Sequence, residues 1–388
     1  MRRARPRPRG IQTIAVALML TSLISMTSCT RGPAGSTGAP SPPGTARGAV
    51  QIVASGFRIP WGVAFLPDGT ALVTERGNSA PDQRSVTTAT PAAIPRILSV
   101  SPAGRVAEVQ RMPEVSTLFG EGGLLGIAVS PHYASDGWVY VYYSTATDNR
   151  IARLHLGQRR QPILTGIPVD TSSPARFHLG GRLAFGPDGM LYASTGETYV
   201  ARTIAQDPAS LGGKILRITP EGRPAPGNPF PNSPVYSLGH RNVQGLAWDS
   251  RGRLFATEFG EDRFDELNLI LPGHNYGWPI AEGTSNDPSF DNPVVTWPVA
   301  DASPSGLAIV SDRAYVACLR GQRLYRLRLD GTGMEQLLVH RYGRLRTVTP
   351  APDGTLWITT SNRDGRAAAP DGPGQPSPDD DRILRLHL

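Results

Sequence analysis

The chain has 388 residues, enough for one large domain or two of ordinary size. It contains 43 glycines and 37 prolines, shows no long helical periodicity, and has a single lysine, Lys214, among its 39 basic residues. This composition favours a turn-rich, all-β protein. The net charge of +7 is inflated by the arginines of residues 2–9, so it does not indicate binding to nucleic acid.

The N-terminus has the pattern of an export signal. Residues 2–9 are basic, residues 11–26 are apolar, and Thr27-Ser28-Cys29 follows. The apolar run is too short for a membrane span. Small residues before Cys29 resemble a bacterial lipoprotein cleavage site, where the cysteine becomes the lipidated first residue. We therefore predict a signal peptide over residues 1–28 and an exported protein. It is lipid-anchored on the outer face of the cell membrane or, alternatively, secreted or periplasmic.

Three segments follow from this reading. Residues 29–49 are rich in Gly, Pro, Ser and Thr and predict a flexible tether, and residues 50–388 form the folded domain. If Cys29 carries lipid, the mature chain has no disulfide, because Cys318 is the other of its two cysteines. Cys318 lies in the strand-like sequence AYVACLRG, which predicts a small buried hydrophobe.

Two interleaved repeats determine the predicted architecture. An apolar strand, a turn of the Pro-Asp-Gly kind and a second apolar strand recur at residues 63–75, 127–144, 183–195, 246–258, 307–319 and 348–360. A short strand of the form R-I-x-R-L follows each of them, beginning at Arg96, Arg150, Lys214, Asp265, Arg323 and Arg382. A period of roughly fifty to sixty residues with about four short strands per unit is typical of a β-propeller.

We therefore predict a six-bladed β-propeller of four-stranded antiparallel blades. Residues 50–56 (VQIVASG) have no hairpin partner of their own, and the last repeat ends the chain at Leu388. Pairing the two termini in one blade would remove both exposed strand edges.

The stretch Ser237–Trp278 mixes strand-forming apolar runs with residues that are costly to bury. Charged groups persist near a core only when they are paired, hydrogen-bonded, or bound to a metal or ligand. The residues concerned are Arg241, Asn242, Gln244, Glu258, Glu261, Asp265 and Glu266. Part of a functional site and a salt-bridged loop between strands are both compatible with this pattern.

Two further clusters lie where a propeller brings its loops together around the channel. His178 precedes a Gly-Gly pair that opens a strand, and Glu197 follows the second strand of that hairpin. A histidine bonded to a carboxylate is the usual form of an oriented general base, and a structural histidine is the alternative. Arg320, Arg344 and Arg346 occupy corresponding loops, where guanidinium groups would bind a polyanionic ligand or form a solvated surface.

The ordered motifs HLGGRLAFGPDGMLY, TGE, LGGKILRI, GHRNVQGLAW, DELNLILPGHNYGWP, SPSGLAI and GRLRTVTPAPDGTLW resemble those of the soluble quinoprotein sugar dehydrogenases, the glucose/sorbosone dehydrogenase family. The resemblance runs from about Val50 to Leu388. It implies a six-bladed propeller that binds pyrroloquinoline quinone (PQQ) and Ca²⁺ at the channel mouth and oxidises the C1 hydroxyl of aldose sugars to lactones. The particular sugar and the electron acceptor are not implied.

The resemblance also implies roles for individual residues. His178 matches the catalytic base that takes the proton from the sugar's C1 hydroxyl, and Glu197 stands where the family has an aspartate supporting that histidine. Arg241 and Asn242 match a pair that contacts the cofactor, and Arg241 is placed to stabilise negative charge on the reduced quinone oxygen. Arg344 and Arg346 match arginines that grip the cofactor's carboxylates, with Arg320 where a lysine is usual. The matching metal ligands are the backbone carbonyls of Gly260 and Glu261 for the cofactor's calcium, and Glu266 and Tyr276 for a structural calcium.

The chain departs from the family pattern at several positions. Phe177 replaces a polar residue that helps to hold the sugar, and Glu197 and Arg320 keep the charge of the usual residue with a different geometry. Phe259 and Glu261 alter the calcium loop. Two other functions stay open at this point: a non-catalytic propeller lipoprotein that binds an envelope partner or glycan, and a calcium-dependent hydrolase of the lactonase type.

Overall fold

The computed structural model describes residues 48–77, 93–117, 120–172, 176–366 and 376–388. Across these ranges the chain is almost entirely β-structure, in six four-stranded antiparallel sheets. Two short helices interrupt the strands, α1 (Tyr133–Asp136) and a 3₁₀ helix at Arg202–Ala205. None of the helices in the described ranges is long and apolar enough to cross a membrane. The predicted signal peptide, Cys29 and all but the last two residues of the predicted tether lie outside the described residues and stay predictions.

The strands follow one another from blade to blade around the ring. The first half of the chain contributes β1 (Val50–Ser55), β2 (Pro60–Phe65), β3 (Ala71–Glu75), β4 (Arg96–Val100), β5 (Val106–Arg111), β6 (Leu124–Val129), β7 (Val139–Ser144), β8 (Asn149–Leu154), β9 (Gln161–Ile167), β10 (Leu183–Phe185), β11 (Leu191–Ser194), β12 (Lys214–Ile218) and β13 (Val235–Leu238). The second half contributes β14 (Val243–Trp248), β15 (Leu254–Glu258), β16 (Phe264–Ile270), β17 (Val295–Pro298), β18 (Pro304–Val310), β19 (Arg313–Cys318), β20 (Arg323–Arg328), β21 (Glu335–Leu337), β22 (Leu345–Pro350), β23 (Leu356–Thr360) and β24 (Arg382–Leu386).

Five blades are built from four consecutive strands, starting at β2, β6, β10, β14 and β18. The sixth has the order β22-β23-β24-β1, so the first strand of the domain completes the last blade. Val50 lies opposite Leu386, and Ser55 opposite Arg382. The predicted six blades and the predicted pairing of the termini are both confirmed.

The Pro-Asp-Gly turns of the hairpin repeat have a local physical cause. The Asp68 carboxylate accepts a hydrogen bond from the backbone N–H of Thr70 at 2.9 Å, and Gly69 between them has a φ of 84°. Glycine adopts this left-handed conformation without a steric penalty, and aspartate closes the turn through its side chain. The same bond recurs at Asp188 and Asp353.

The apolar core is divided among the interfaces between neighbouring blades. Six hydrophobic clusters occupy the six interfaces of the described ring. In the one that closes the ring, Trp357 and Ile383 of the last blade pack against Val73 and Leu98 of the first. Cys318 is fully buried in another, which confirms its predicted role as a small hydrophobe.

The innermost strands of the blades, β2, β6, β10, β14, β18 and β22, contact one another around the central channel. Because adjacent strands of a blade are antiparallel, the residues before each first strand and after each second strand lie at the same end of the channel. This end of the ring, the channel mouth, receives polar side chains from all six blades.

Candidate active site

A cavity of about 440 Å³ opens at the channel mouth. Of the residues predicted from the sequence, six line it together: His178, Arg241, Gly260, Glu261, Arg320 and Arg344. They come from four different blades and from both kinds of rim position, before a first strand and after a second. The tertiary structure therefore brings the three sequence clusters into one site.

His178 and Glu197 form a hydrogen-bonded pair at the wall of this cavity. Nδ1 of His178 lies 2.5 Å from Oε1 of Glu197, whose side chain is completely buried. No described residue hydrogen-bonds the other ring nitrogen, Nε2, and the His178 ring borders the cavity. The carboxylate thus orients the imidazole and leaves Nε2 for a ligand.

The backbone around this pair is closely constrained. His178 has a φ of 52°, a left-handed conformation that is unfavourable for histidine. Its N–H donates to Oε2 of Glu121 at 3.0 Å, and its carbonyl lies against Gly196, where a Cβ atom would stand 1.9 Å from the oxygen. Gly196 is therefore required for the Glu197 segment to approach the histidine.

A second buried histidine provides a contrast within the same chain. His240 also pairs with a glutamate, with Nδ1 2.8 Å from Oε2 of Glu258. Its Nε2 is bonded to the hydroxyl of Ser237 at 2.9 Å, and its ring stacks on Tyr276. Both ring nitrogens of His240 are satisfied and the side chain is fully buried, so His240 has a structural role that His178 does not share.

The arginines predicted at the mouth differ in position. Arg344 borders the cavity and donates twice to Oδ2 of Asp364, at 3.2 and 3.0 Å. Arg346 does not line the cavity: it lies deeper in the channel, with Nη1 bonded to Gln244 at 3.1 Å and its guanidinium 5.7 Å from the centre of the Trp61 ring. Burial lowers the pKa of Arg346 to about 9.

Positive charge is concentrated below the cavity more strongly than the sequence predicted. Arg76 and Arg182 are also buried in the channel, and burial lowers the pKa of both, to about 9 for Arg182. Among the described residues no partner accepts from Nε of Arg76, Arg241 or Arg346, or from Nη2 of Arg182. Buried guanidinium groups that keep unused N–H donors form a site suited to a ligand that carries several carboxylates.

Asp364 is the main internal counter-ion of this cluster. Burial alone would raise the pKa of its carboxyl group, but the surrounding arginines outweigh burial and lower the pKa to about 2. A second carboxylate, that of Glu121, also interacts with Arg76 and Arg346. Two carboxylates do not balance the three guanidinium groups of Arg76, Arg344 and Arg346. The remaining positive charge supports the fit of an anionic cofactor such as PQQ to this channel.

Arg241 and Asn242 are adjacent in sequence but face different surroundings. Nη1 of Arg241 donates to the Phe259 carbonyl at 3.3 Å, and the side chain borders the cavity. Asn242 is fully buried behind the His178 loop. Its Oδ1 accepts from the N–H of Gly180 at 3.0 Å, so Asn242 supports the loop that carries the histidine.

The loop of residues 259–264 has backbone carbonyls available for a cation. The N–H of Gly260 donates to Asp265 at 2.9 Å, and the N–H of Glu261 donates to Glu282 at 2.7 Å. No described group donates to the carbonyl of either Gly260 or Glu261. Carbonyl oxygens suit a hard cation such as Ca²⁺, so the loop fits the predicted cofactor calcium.

Glu266 and Tyr276, predicted at a structural calcium site, border a much smaller cavity of about 10 Å³, together with Glu258 and Glu282. Burial first, then the charge of Glu258, raise the pKa of Glu266 to about 8. The Tyr276 hydroxyl is used within its own loop, where it donates to the Leu269 carbonyl at 2.7 Å. Over the described residues, no group of three or more His, Cys, Asp or Glu side chains is arranged to hold a metal ion.

Several residues of the site were missed by sequence reasoning. They are Arg76, Glu121, Arg182, Tyr199, Glu282, Asp364 and Arg366. The repeat itself contained a signal for Arg76, because it follows the second strand of its hairpin just as Glu197 and Gly260 do. Glu121, Glu282 and Asp364 belong to no motif and act through contacts with distant parts of the chain.

Fold and site together define a six-bladed propeller with an oriented histidine above a channel that contains several buried arginines. A family model described as Glucose / Sorbosone dehydrogenase matches residues 57–369. The chain therefore belongs to the glucose/sorbosone dehydrogenase family.

Individual relatives agree with this assignment. The structure of the PQQ-bound form of aldose sugar dehydrogenase from Streptomyces coelicolor has 48% sequence identity and a TM-score of 0.76, covering 88% of this chain and 98% of that one. An uncharacterized protein of Synechocystis is 34% identical over 82% of this chain and 85% of its own. The aldose sugar dehydrogenase YliI of Escherichia coli is 27% identical over 81% of this chain and 91% of its own.

Proposed function

We propose that this protein is an exported, PQQ-dependent dehydrogenase that oxidises the C1 hydroxyl group of aldose sugars to lactones, with Ca²⁺ bound beside the cofactor. The observation that carries the proposal is the combination of a histidine whose Nε2 is free at the cavity with a group of buried arginines at and below that cavity, four of which keep a nitrogen donor that no described residue accepts from. The first suits proton abstraction and the second suits a polyanionic cofactor.

His178 is the base in this proposal. Its Nε2 takes the proton of the C1 hydroxyl as the C1–H bond breaks and the C1–O bond becomes a carbonyl. Glu197 holds the ring through Nδ1 and stabilises the imidazolium that forms, as the buried carboxylate of a catalytic triad does. When bound, PQQ supplies the acceptor for the hydride that leaves C1, and calcium polarises the quinone as a Lewis acid.

The remaining residues of the site bind and orient the cofactor and its calcium. Arg344 and the deeper Arg346 hold the cofactor's carboxylates, and Arg320 contributes positive charge at the rim. Arg241 lies between the His178 side of the cavity and the Phe259–Gly260 loop, where its guanidinium group stabilises negative charge that develops on an oxygen of the reduced cofactor. Carbonyls of Gly260 and Glu261 bind the calcium.

The hydrolase alternative is disfavoured by electrostatics. A lactonase of the propeller type needs a central divalent cation, whereas Arg76, Arg182 and Arg346 lie in the channel of this protein. Buried positive charge repels such an ion. The non-catalytic alternative is distinguished from the dehydrogenase by the following reconstitution experiment.

The decisive experiment is reconstitution of purified apo-protein with PQQ and Ca²⁺, followed by a dye-reduction assay over a panel of aldoses. We expect a spectral change on PQQ binding, turnover of at least one aldose, and loss of turnover without loss of binding in His178→Ala. His274→Ala is the matched control, since His274 pairs with Asp291 on the surface and does not line the cavity. Absence of PQQ binding would overturn the proposal that this protein is a PQQ-dependent dehydrogenase. Binding without turnover of any aldose would support the non-catalytic protein.

Export and lipid anchoring at Cys29 form a separate part of the proposal. The prediction is that the full chain, expressed in a bacterium with labelled fatty acid, incorporates the label and fractionates with the membrane. Cys29→Ser should abolish the label and release the protein. Unlabelled wild-type protein in the medium or periplasm would indicate plain secretion instead.

A further inference from the structure

The loop that fits calcium is held from behind by two carboxylates. Five consecutive backbone N–H groups, of residues 260–264, donate to acidic side chains. The first donates to Oδ1 of Asp265 at 2.9 Å, and the next four all donate to Oε1 of Glu282, at 2.7, 3.1, 3.1 and 3.2 Å. A single carboxylate oxygen therefore accepts hydrogen bonds from four successive backbone N–H groups.

This arrangement fixes the direction of the carbonyl groups. In a trans peptide the C=O of one residue points opposite to the N–H of the next, and the peptides of this loop are trans. Since the N–H groups of Glu261 and Asp262 point at Glu282, the carbonyls of Gly260 and Glu261 point away from it. The preceding carbonyl, of Phe259, accepts from Nη1 of Arg241, and Phe259, Gly260 and Glu261 all line the cavity.

Glycine at position 260 is a condition of this geometry. A Cβ atom on Gly260 would lie 1.9 Å from the Phe264 carbonyl oxygen and 2.8 Å from Oε1 of Glu282. Only a residue without a side chain lets the loop close around the carboxylate. Position, curvature and carbonyl direction of the loop are thus set jointly by Gly260 and Glu282.

We propose that Glu282 is a positioning residue for the cofactor's calcium: it orients the carbonyl oxygens of Gly260 and Glu261 as ligands and does not bind the cation through Oε1. The inference rests on the proposed function for the presence of that cation. Glu282 acts in two ways. Its shape holds the loop, and its negative charge polarises the peptide groups that donate to it, which makes their carbonyl oxygens stronger ligands.

The two contributions are separable by substitution. Glu282→Gln keeps an acceptor oxygen of the same reach but removes the charge, Glu282→Asp keeps the charge on a shorter side chain, and Glu282→Ala removes both. Glu335→Gln is the control, since Glu335 lies on an outer strand and pairs with Arg326 away from the cavity. Glutamine and aspartate variants keep the test valid if the alanine variant fails to fold.

The measurement is the Ca²⁺ concentration that gives half-maximal PQQ binding, followed by the absorbance of the bound quinone in apo-protein titrated with CaCl₂. Loss of an outer-shell partner of a metal site costs roughly 10- to 100-fold in metal affinity. We expect Glu282→Gln to raise the half-saturating Ca²⁺ concentration about 10-fold, Glu282→Ala to raise it about 100-fold, and Glu335→Gln to leave it unchanged. Glu282→Asp should lie between the wild type and the alanine variant.

A half-saturating concentration within about twofold of wild type in the glutamine and alanine variants would overturn the inference. If the melting temperature falls in these variants while calcium dependence stays the same, Glu282 is only structural and the inference is again overturned. These results leave the proposed function intact. If the wild type binds PQQ and turns over aldose without Ca²⁺, the proposed role of Glu282 is overturned but the proposed dehydrogenase activity is not. Failure of the wild type to bind PQQ at any Ca²⁺ concentration would overturn both.

Discussion

Replacing Glu197 by glutamine tests the core of the proposed chemistry. The substitution keeps the size of a fully buried side chain that lies 2.5 Å from Nδ1 of His178 and removes its charge. Its second oxygen, Oε2, has no partner among the described residues, so the new amide group would find no acceptor there. The amide oxygen of glutamine can still accept from Nδ1–H, but glutamine leaves a buried NH2 group without an acceptor and supplies no negative charge to stabilise the imidazolium.

The size of the effect follows from the geometry. When His178 accepts the proton, a positive charge forms about 4 Å from the charge of Glu197, where an effective dielectric constant of about 20 gives an interaction of about 4 kcal/mol. Its loss slows the chemical step roughly a thousandfold. That figure lies within the range of about 10² to 10⁴ that general-base catalysis contributes.

The assay is kcat for dye reduction at saturating aldose, normalised to bound PQQ measured by absorbance. Glu197→Asp should retain more activity than Glu197→Gln because it keeps the charge. Glu75→Gln is the matched control: Glu75 is another buried carboxylate, paired with Arg96 at 2.6 Å, and it does not line the cavity. The reasoning would be refuted by a Glu197→Gln enzyme that binds PQQ normally and turns over within about tenfold of wild type.

Two further predictions concern the arginine cluster. Arg346→Ala should weaken PQQ binding about 10- to 100-fold in a spectral titration, because hydrogen bonds to charged groups contribute about 1.5 to 3 kcal/mol. The exposed Arg328→Ala should not change it, and unaltered binding in Arg346→Ala would contradict the cofactor seat. The pKa of Asp364 is lowered from 3.8 to about 2, so its ionised form stabilises the fold above about pH 4, and this stabilisation is lost as the pH falls towards 2. Urea unfolding between pH 5 and 2.5 should therefore show a shallower loss of stability in Asp364→Asn, and equal slopes would contradict the prediction.

The repeats predicted the blades because each hairpin is a local structure. Turns such as Asp68–Gly69 and the apolar strands beside them leave a pattern in consecutive residues. The outermost strands, β5, β9, β13, β17 and β21, left no comparable pattern. β5 and β9 show the reason, since most of their side chains are exposed or half-buried and are not restricted to apolar types.

The sequence by itself determined the family, the number of blades and the positions of His178 and Glu197, because these depend on short motifs at strand ends. Only the tertiary structure decided which polar residues share a cavity. It placed Arg346 below the cavity, Asn242 behind the histidine loop, and Glu282 behind the predicted calcium loop. Such contacts join residues that are far apart along the chain, and their strength depends on burial and on the direction of single hydrogen bonds. Neither quantity has a periodic signature in a sequence.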